Sequence, residues 1–441
     1  MNKTKIRYFD GENEIEIDYI SRIIDDVIDE YLSESGAILL RGPKWCGKST
    51  TAIKHAKSFI FLSKKSLKPT FDSFRIRPSL FLRGEKPLLL DEWQTYPEIW
   101  DLVKDSVDAI NLCGQYILTG SYSPKIGTTN HTGSMRIRRL NMTTLTLWEK
   151  GISNGSVSLR DIFEGKEIDG VNTLSYEEIT HQIVLGGYPA SLDREKNNSN
   201  FAGQASFESI VESDIQEATG KNLRPSIAKA IIRSLARNIS TQVSDQTIIS
   251  DVSGYESISK NTYYTYYDGL LRLFAIHELE SFSPAIRSKG AIRSGPKRQF
   301  NDVSLAVAAL NLSENDLNND PRTRGFFFEN FVGHDLEVYC QTLRATVGHY
   351  RDGLGLEVDF TIHFPNGDYA LVEVKSSEVD LLAAKSTFEK FDKLVEKYNS
   401  KKGNVSEIRK PRFKMIITGD SPFARKDSDG VYIVPIGTLK P

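Results

Sequence analysis

Gly42-Pro43-Lys44-Trp45-Cys46-Gly47-Lys48-Ser49-Thr50 is the stretch that decides how this 441-residue chain is read. It follows the apolar run 37–40 and precedes a segment, 51–58, that reads as a helix. Glycine, four residues, then Gly47-Lys48-Ser49 is the pattern of a phosphate-binding loop. Its glycines let the backbone curl so that N–H groups converge on anionic oxygens, helped by the positive end of the following helix. In that pattern Lys48 reaches the β- and γ-phosphates, and the Ser49 hydroxyl completes a Mg²⁺ shell. An ordinary glycine-containing turn with a surface lysine is the alternative. The order strand, loop, helix favours the phosphate loop.

Working outward, 87–90 is an apolar run that ends in Asp91-Glu92, as a buried parallel strand with carboxylates at its carboxyl edge would. In phosphate-loop ATPases the first acid holds Mg²⁺ and the second polarises the attacking water, which assigns Asp91 and Glu92. The run 59–62 supplies an intervening strand. A third strand, 114–118, ends in Thr119-Gly120-Ser121, and either hydroxyl suits a position that orients water and senses the γ-phosphate. Arg136 opens a strand with Arg138 and Arg139, and is the candidate for an arginine that stabilises transition-state charge.

These motifs, with Leu145-Thr146-Leu147-Trp148-Glu149 after them, resemble a large family of bacterial and archaeal AAA-type ATP-binding proteins. Members join an N-terminal ATPase to a C-terminal domain of unknown function. The resemblance covers nearly the whole chain and implies ATP and Mg²⁺ as ligands. It implies Lys48 and Ser49 for phosphate and metal, Asp91 and Glu92 for metal and water, Ser121 as a sensor-like position and Arg136 near the γ-phosphate. It leaves open whether Arg136 acts in cis or from a neighbouring subunit of a homo-oligomer.

Composition sets the frame. Hydrophobic residues make up 39% and charged residues 26%, with a formal net charge of −2, so a nucleic-acid-binding surface has to be local. Three cysteines are too few and too scattered for a disulfide framework or a zinc cage, which points to a reducing cytoplasm. No apolar leader opens the chain and no stretch is long and apolar enough to span a membrane.

The middle of the chain reads as helical. Isoleucines and Val27 recur at helical spacing over 18–33, and further helices are expected at 175–184, 207–218 and 226–238. Two short helices at 247–254 and 259–274, with Ser259 as N-cap, lead into a strand-like 273–279. That order resembles a winged-helix module, which the family carries here. Tyr263, Tyr264, Tyr266 and Tyr267 fit a core better than a base-stacking surface. Arg287, Lys289, Arg293, Lys297 and Arg298 then form the most basic local stretch, with no acid between Ser281 and Asn301, and are the candidate DNA contact.

The C-terminal part carries a second constellation. Glu329 lies in an apolar helix, 357–363 alternates as a strand, Asn366-Gly367 is a hairpin turn, and 369–375 is the partner strand. Asp359 with Glu373-Val374-Lys375 reproduces the D…ExK arrangement of restriction-endonuclease-like nucleases. The pleat puts Glu373 and Lys375 on one face. There Asp359, Glu373 and Glu329 would bind Mg²⁺ and Lys375 would help activate water. Val358 stands where that signature often has proline.

The expected architecture is α/β: a phosphate-loop ATPase core over 1–160, a helical region with a winged-helix-like module over 161–300, and a restriction-endonuclease-like domain over 301–441. The leading expected function is Mg²⁺-dependent ATP hydrolysis coupled to a DNA-binding and DNA-cleaving C-terminal half. The alternative is a nucleotide-gated switch or protein-remodelling ATPase whose nuclease-like domain is an inactive interaction module.

Overall fold

Alternation decides the first element. In Glu14-Ile15-Glu16-Ile17-Asp18-Tyr19-Ile20 every second residue is apolar, and this segment is a strand, β2 (Glu14–Ile20), paired antiparallel with β1 (Lys3–Phe9). The helix expected from residue 18 begins only at Ile24, because period two prevails over period 3.6 up to Ile20. The computed structural model describes residues 3–9, 13–63, 81–122, 133–192, 200–284, 295–400 and 407–441.

The ATPase-type sheet is built from β3 (Ala37–Arg41), β4 (Ser58–Phe61), β5 (Leu88–Asp91), β6 (Tyr116–Gly120) and β7 (Ile137–Asn141), all parallel, in the order β4-β5-β6-β3-β7. Parallel strands bury both faces, so their residues are apolar without interruption. Along β3 the pleat sends Ala37 and Leu39 to one core with Trp100, Val103 and Val107 of the helix Glu98–Ile110. Ile38 and Leu40 face the other core with Ile24, Val27 and Ile28 of the helix Ile24–Glu34. The phosphate loop leaves the carboxyl end of β3 and enters the helix Lys48–His55.

That helix is fixed to the preceding one by a buried cluster around Asp25. The Asp25 carboxylate accepts from Tyr19 OH at 2.5 Å and Lys54 Nζ at 2.6 Å, and lies 3.0 Å from His55 Nε2. Burial alone would raise its pKa; the bonds from His55, Lys54 and Tyr19 override that and hold it at about 2. A carboxylate depressed in the folded state stabilises above its unfolded pKa and loses that stabilisation as pH falls through the folded value. The Asp25 contribution is therefore present at neutral pH and disappears between about pH 4 and 2. Asp25→Asn should lower the unfolding free energy at pH 7 by on the order of 2 kcal/mol. Denaturant titrations should show this gap closing across that window; a constant gap from pH 7 to 2 would refute the assignment.

The chain then runs through β8 (Val157–Ser158) and β9 (Gly170–Val171) into helices, including Tyr176–Leu185, Pro225–Arg237, Asp245–Ser253 and Lys260–Arg272. Ser175 and Ser259 cap their helices as the sequence suggests. Between Phe201–Ser209 and Ile215–Thr219 one turn widens to a π-helix, Ile210–Asp214. The last two helices of that series lead into the antiparallel hairpin of β10 (Ile276–Leu279) and β11 (Lys297–Phe300). Tyr263, Tyr266 and Tyr267 are buried, so these rings build core.

The helix Pro321–Gln341 opens the C-terminal region. It is followed by β12 (Thr346–Arg351), β13 (Glu357–His363), β14 (Tyr369–Lys375), the helix Leu381–Asn399, β15 (Lys414–Thr418), β16 (Phe423–Lys426), β17 (Tyr432–Pro435) and β18 (Leu439–Lys440). Seven strands form one mixed sheet in the order β12-β13-β14-β15-β17-β16-β9, while β18 pairs with β8. One hydrophobic core runs from Leu147 through the helical middle to Leu439. The protein is thus a mixed α/β chain with a parallel ATPase-type sheet, a helical middle and a β-rich C-terminal region.

The 21-residue helix Pro321–Gln341 is a strut, about 31 Å long at 1.5 Å per residue. Its midpoint plugs into the loop after β7. Leu147 N donates to Asp335 Oδ2 at 2.9 Å, and Thr144 Oγ1 lies 3.2 Å from His334 Nε2. Just beyond its end, Arg344 pairs with Glu30 and Glu34 of the helix Ile24–Glu34.

Candidate functional site

The phosphate loop is shaped by two close constraints. A Cβ on Gly42 would fall 1.8 Å from the Met142 carbonyl oxygen, so only glycine fits against the chain leaving β7. Gly47 has φ +101°, the left-handed region that glycine enters at no steric cost, and this turns the chain into the helix Lys48–His55. Lys48 is buried and its Nζ donates to the Pro43 carbonyl at 2.7 Å, within the curl of the loop. Cys46 is buried below it, and Trp45 is half-exposed. Lys44 reaches outward to the π-helix, with its Nζ 2.7 Å from Asp214 Oδ1.

The parallel register brings the ends of β5 and β6 beside this loop. Asp91 is buried and accepts from Thr119 Oγ1 at 2.6 Å, and the Ser49 hydroxyl lies near enough to act on its pKa. Burial raises that pKa, against the lowering by Thr119 and Ser49. Ser49 and Asp91, the expected Mg²⁺ ligands of the loop, therefore meet. A hydroxyl beside a buried carboxylate is the hard-oxygen set that suits Mg²⁺. Glu92 follows with φ +56°, a conformation costly for a non-glycine residue and held here by its neighbours. Its backbone N–H donates to Thr119 Oγ1 at 3.0 Å, and its carboxylate Oε2 accepts from Ser121 Oγ at 2.8 Å and from Gln94 Nε2.

Thr119 and Ser121 thus divide the work expected of a single hydroxyl: one fixes Asp91 and the Glu92 backbone, the other aims the Glu92 side chain. The sequence reading assigns no role to Gln94. Its signal, an amide two residues past the paired acids, is visible only once the chain turns back.

Three expectations require correction. Arg136 precedes β7, and its carbonyl accepts from Ala37 N at the start of β3. Parallel pairing of Ala37 with Ile137 therefore places Arg136 at the amino edge of the sheet, opposite the phosphate loop, where its Nε is 2.7 Å from Asp108 Oδ1. It is not brought to the phosphates of its own chain.

The basic stretch is the second correction. Lys297 and Arg298 are buried in β11, paired with Glu329 and Asp245 respectively. Arg298 Nε also donates to Tyr267 OH at 2.9 Å. The absence of acids within 281–301 is a fact of sequence; the fold supplies acids from elsewhere. Arg287, Lys289 and Arg293 lie outside the described residues.

Glu329 is the third. Asp359, Glu373 and Lys375 are brought together, with Lys375 Nζ 2.8 Å from Glu373 Oε2 and 3.4 Å from Asp359 Oδ2. Asp359 Oδ2 also accepts from Val374 N at 2.9 Å. Glu329 belongs to the same charge cluster, with Asp359 acting on its pKa, but its carboxylate is taken by the Lys297 ammonium. Burial pushes Glu329 and Glu373 each up to about 8, with Asp359 adding to the shift of Glu373. Among the described residues no group of three or more His, Cys, Asp or Glu side chains is arranged to hold a metal ion.

The buried ion pair of Arg22 and Glu149 carries no signal in local sequence. Arg22 Nε donates to Glu149 Oε1 at 2.9 Å, its Nη1 to the Cys46 carbonyl of the phosphate loop at 2.9 Å, and its Nη2 to the Thr143 carbonyl at 2.8 Å.

Three family models match the chain. A model described as an AAA domain matches residues 34–150, and two domains of unknown function match 176–316 (DUF8612) and 324–439 (DUF4143). Among solved structures, the chain is similar to a Walker-type ATPase of Pyrococcus abyssi at 13% identity and a TM-score of 0.40, over 65% of this chain and 94% of that one. No curated protein matches the chain. The chain carries an AAA-type ATPase domain. Among the described residues no helix is long and apolar enough to cross a membrane.

Proposed function

We propose that this protein hydrolyses ATP with Mg²⁺ at the phosphate loop and uses the nucleotide state to move a C-terminal interaction domain of restriction-endonuclease-like fold. The observation that carries this is the convergence of Ser49, Asp91 and Glu92 at one edge of the sheet, with Thr119, Ser121 and Gln94 holding the two acids. Ser49 and Asp91 would hold Mg²⁺, which when bound supplies charge neutralisation to the phosphoryl group. The loop N–H groups and the Lys48 ammonium bind the phosphates. Glu92, restrained by Ser121 and Gln94, orients the attacking water and accepts its proton.

In this reading residues 1–160 hydrolyse, 161–300 transmit and 301–441 respond. Transmission has contacts to follow: Lys44 of the loop pairs with Asp214, and the loop after β7 is bonded to His334 and Asp335 on the strut. The order helix, three antiparallel strands, helix, parallel strand over Pro321–Thr418 supports the nuclease-like fold. Helices Asp245–Ser253 and Lys260–Arg272 followed by the β10–β11 hairpin support the winged-helix reading.

DNA cleavage is the second reading, favoured by the meeting of Asp359, Glu373 and Lys375. One experiment separates them. Purified protein with Mg²⁺ and ATP should release phosphate, Lys48→Ala should not, and supercoiled plasmid in the same tube should stay intact. Plasmid nicking by wild type that is lost in both Asp359→Ala and Lys375→Ala would establish the second reading. Phosphate release unchanged in Lys48→Ala would sink the first.

A further inference from the structure

We infer that the carboxylate cluster of the C-terminal domain is filled by the Lys297 ammonium, which takes the place a nuclease-like site gives to a divalent cation. This rests on reading the C-terminal domain as nuclease-like, and it concerns what occupies that site. Lys297 comes from β11, outside the strand-turn-strand unit that carries Asp359, Glu373 and Lys375. Its side chain is only 1% exposed. Its Nζ touches Glu329, lies 3.7 Å from Glu357 Oε1, and sits 5.7 Å from the centroid of the Phe360 ring. Burial works against this ammonium, yet Glu329 and Asp359 outweigh it and raise the Lys297 pKa, so it stays charged.

Three of the four carboxylate charges are therefore already met by cations within the fold. Glu329, Glu357, Asp359 and Glu373 face Lys297, Lys375 and Arg351, the last 3.7 Å from Glu357 Oε2. Mg²⁺ demands a near-octahedral oxygen shell at about 2.0–2.1 Å. An ammonium in direct contact with Glu329 and a second lysine bridging Asp359 and Glu373 occupy the oxygens such a shell needs. Placing a divalent ion there would require a buried lysine to leave its carboxylate, which leaves the ammonium uncompensated in the interior. The residues of this site do not fit Mg²⁺. They fit a lysine, and the site is a closed ion-pair network.

The test is Mn²⁺ binding, followed by the electron paramagnetic resonance of free Mn²⁺ on the full chain without nucleotide. Asp91→Asn serves as the parent, to silence the phosphate-loop carboxylate. The parent should bind no Mn²⁺ that depends on Asp359. Lys297→Met should gain one site, at least about tenfold tighter than anything in the parent, and adding Asp359→Asn should erase it. Lys297→Met combined with Glu329→Gln removes both buried charges and should gain a site as well, which covers the case in which the single variant does not fold. The inference fails if the parent binds Mn²⁺ and loses it with Asp359→Asn. It also fails if folded Lys297 variants gain nothing. ATP turnover of the wild type, assayed separately, reports on the phosphate loop alone, so failure there leaves the Mn²⁺ result standing.

Discussion

Replacing Glu92 with glutamine is expected to lower ATP turnover by about 10²–10⁴-fold while ATP still binds, the range general-base removal produces. The substitution is nearly isosteric, so it keeps an oxygen for the Ser121 hydroxyl, and the backbone bond from Glu92 N to Thr119 is untouched. What disappears is the negative charge that draws a proton from the attacking water. Lys48→Ala should act differently. It removes the ammonium that lies within the loop's curl, and should weaken nucleotide binding as well as turnover. Steady-state phosphate release and titration with a fluorescent nucleotide distinguish the two: Glu92→Gln changes the first alone, Lys48→Ala both. Hydrolysis at wild-type rates in both variants would remove the ATPase assignment.

The contrast between these residues and Arg136 shows what a sequence can convey. A phosphate loop is a local object: its backbone path is written in Gly42, Gly47 and the strand before them, so Lys48 and Ser49 can be placed without knowing the rest of the fold. Asp91 and Glu92 are nearly as legible, because an apolar run ending in acids has one natural place in a parallel sheet. Arg136 depends on which end of β7 it occupies, and that is set by register with β3, a pairing across 100 residues. The same limit explains Lys297 and Arg298. A stretch without local acids looks like an open basic surface, yet their partners Glu329 and Asp245 come from helices folded onto them. The hairpin of β1 and β2 was legible in the alternation of Ile15, Ile17 and Tyr19, but the helical pattern beginning at Ile20 overlaps it.

Arg22 and Glu149, 127 residues apart, show the largest consequence of such long-range pairing. Both side chains are almost wholly buried, at 4% and 2% exposed. Burial opposes the Arg22 charge, and Glu149 more than restores it. Breaking a buried pair from one side leaves the other charge uncompensated, so Arg22→Met and Glu149→Met should each cost about 3–5 kcal/mol. The double variant should cost much less than the two together, because neither charge then remains. Denaturant unfolding of the four proteins measures that coupling, and strictly additive losses would show that the pair does not act as a unit. Nucleotide affinity provides the second readout. Arg22 Nη1 bonds the Cys46 carbonyl, while Glu149 accepts from Ile23 N and Thr146 N without touching the phosphate loop. Arg22→Met should therefore weaken ATP binding even in the double variant, where the charge balance is repaired, since the loop carbonyl still lacks its donor. Recovery of stability without recovery of affinity would separate the two tasks of one guanidinium: neutralising Glu149, and holding the phosphate loop against the loop that receives the C-terminal strut.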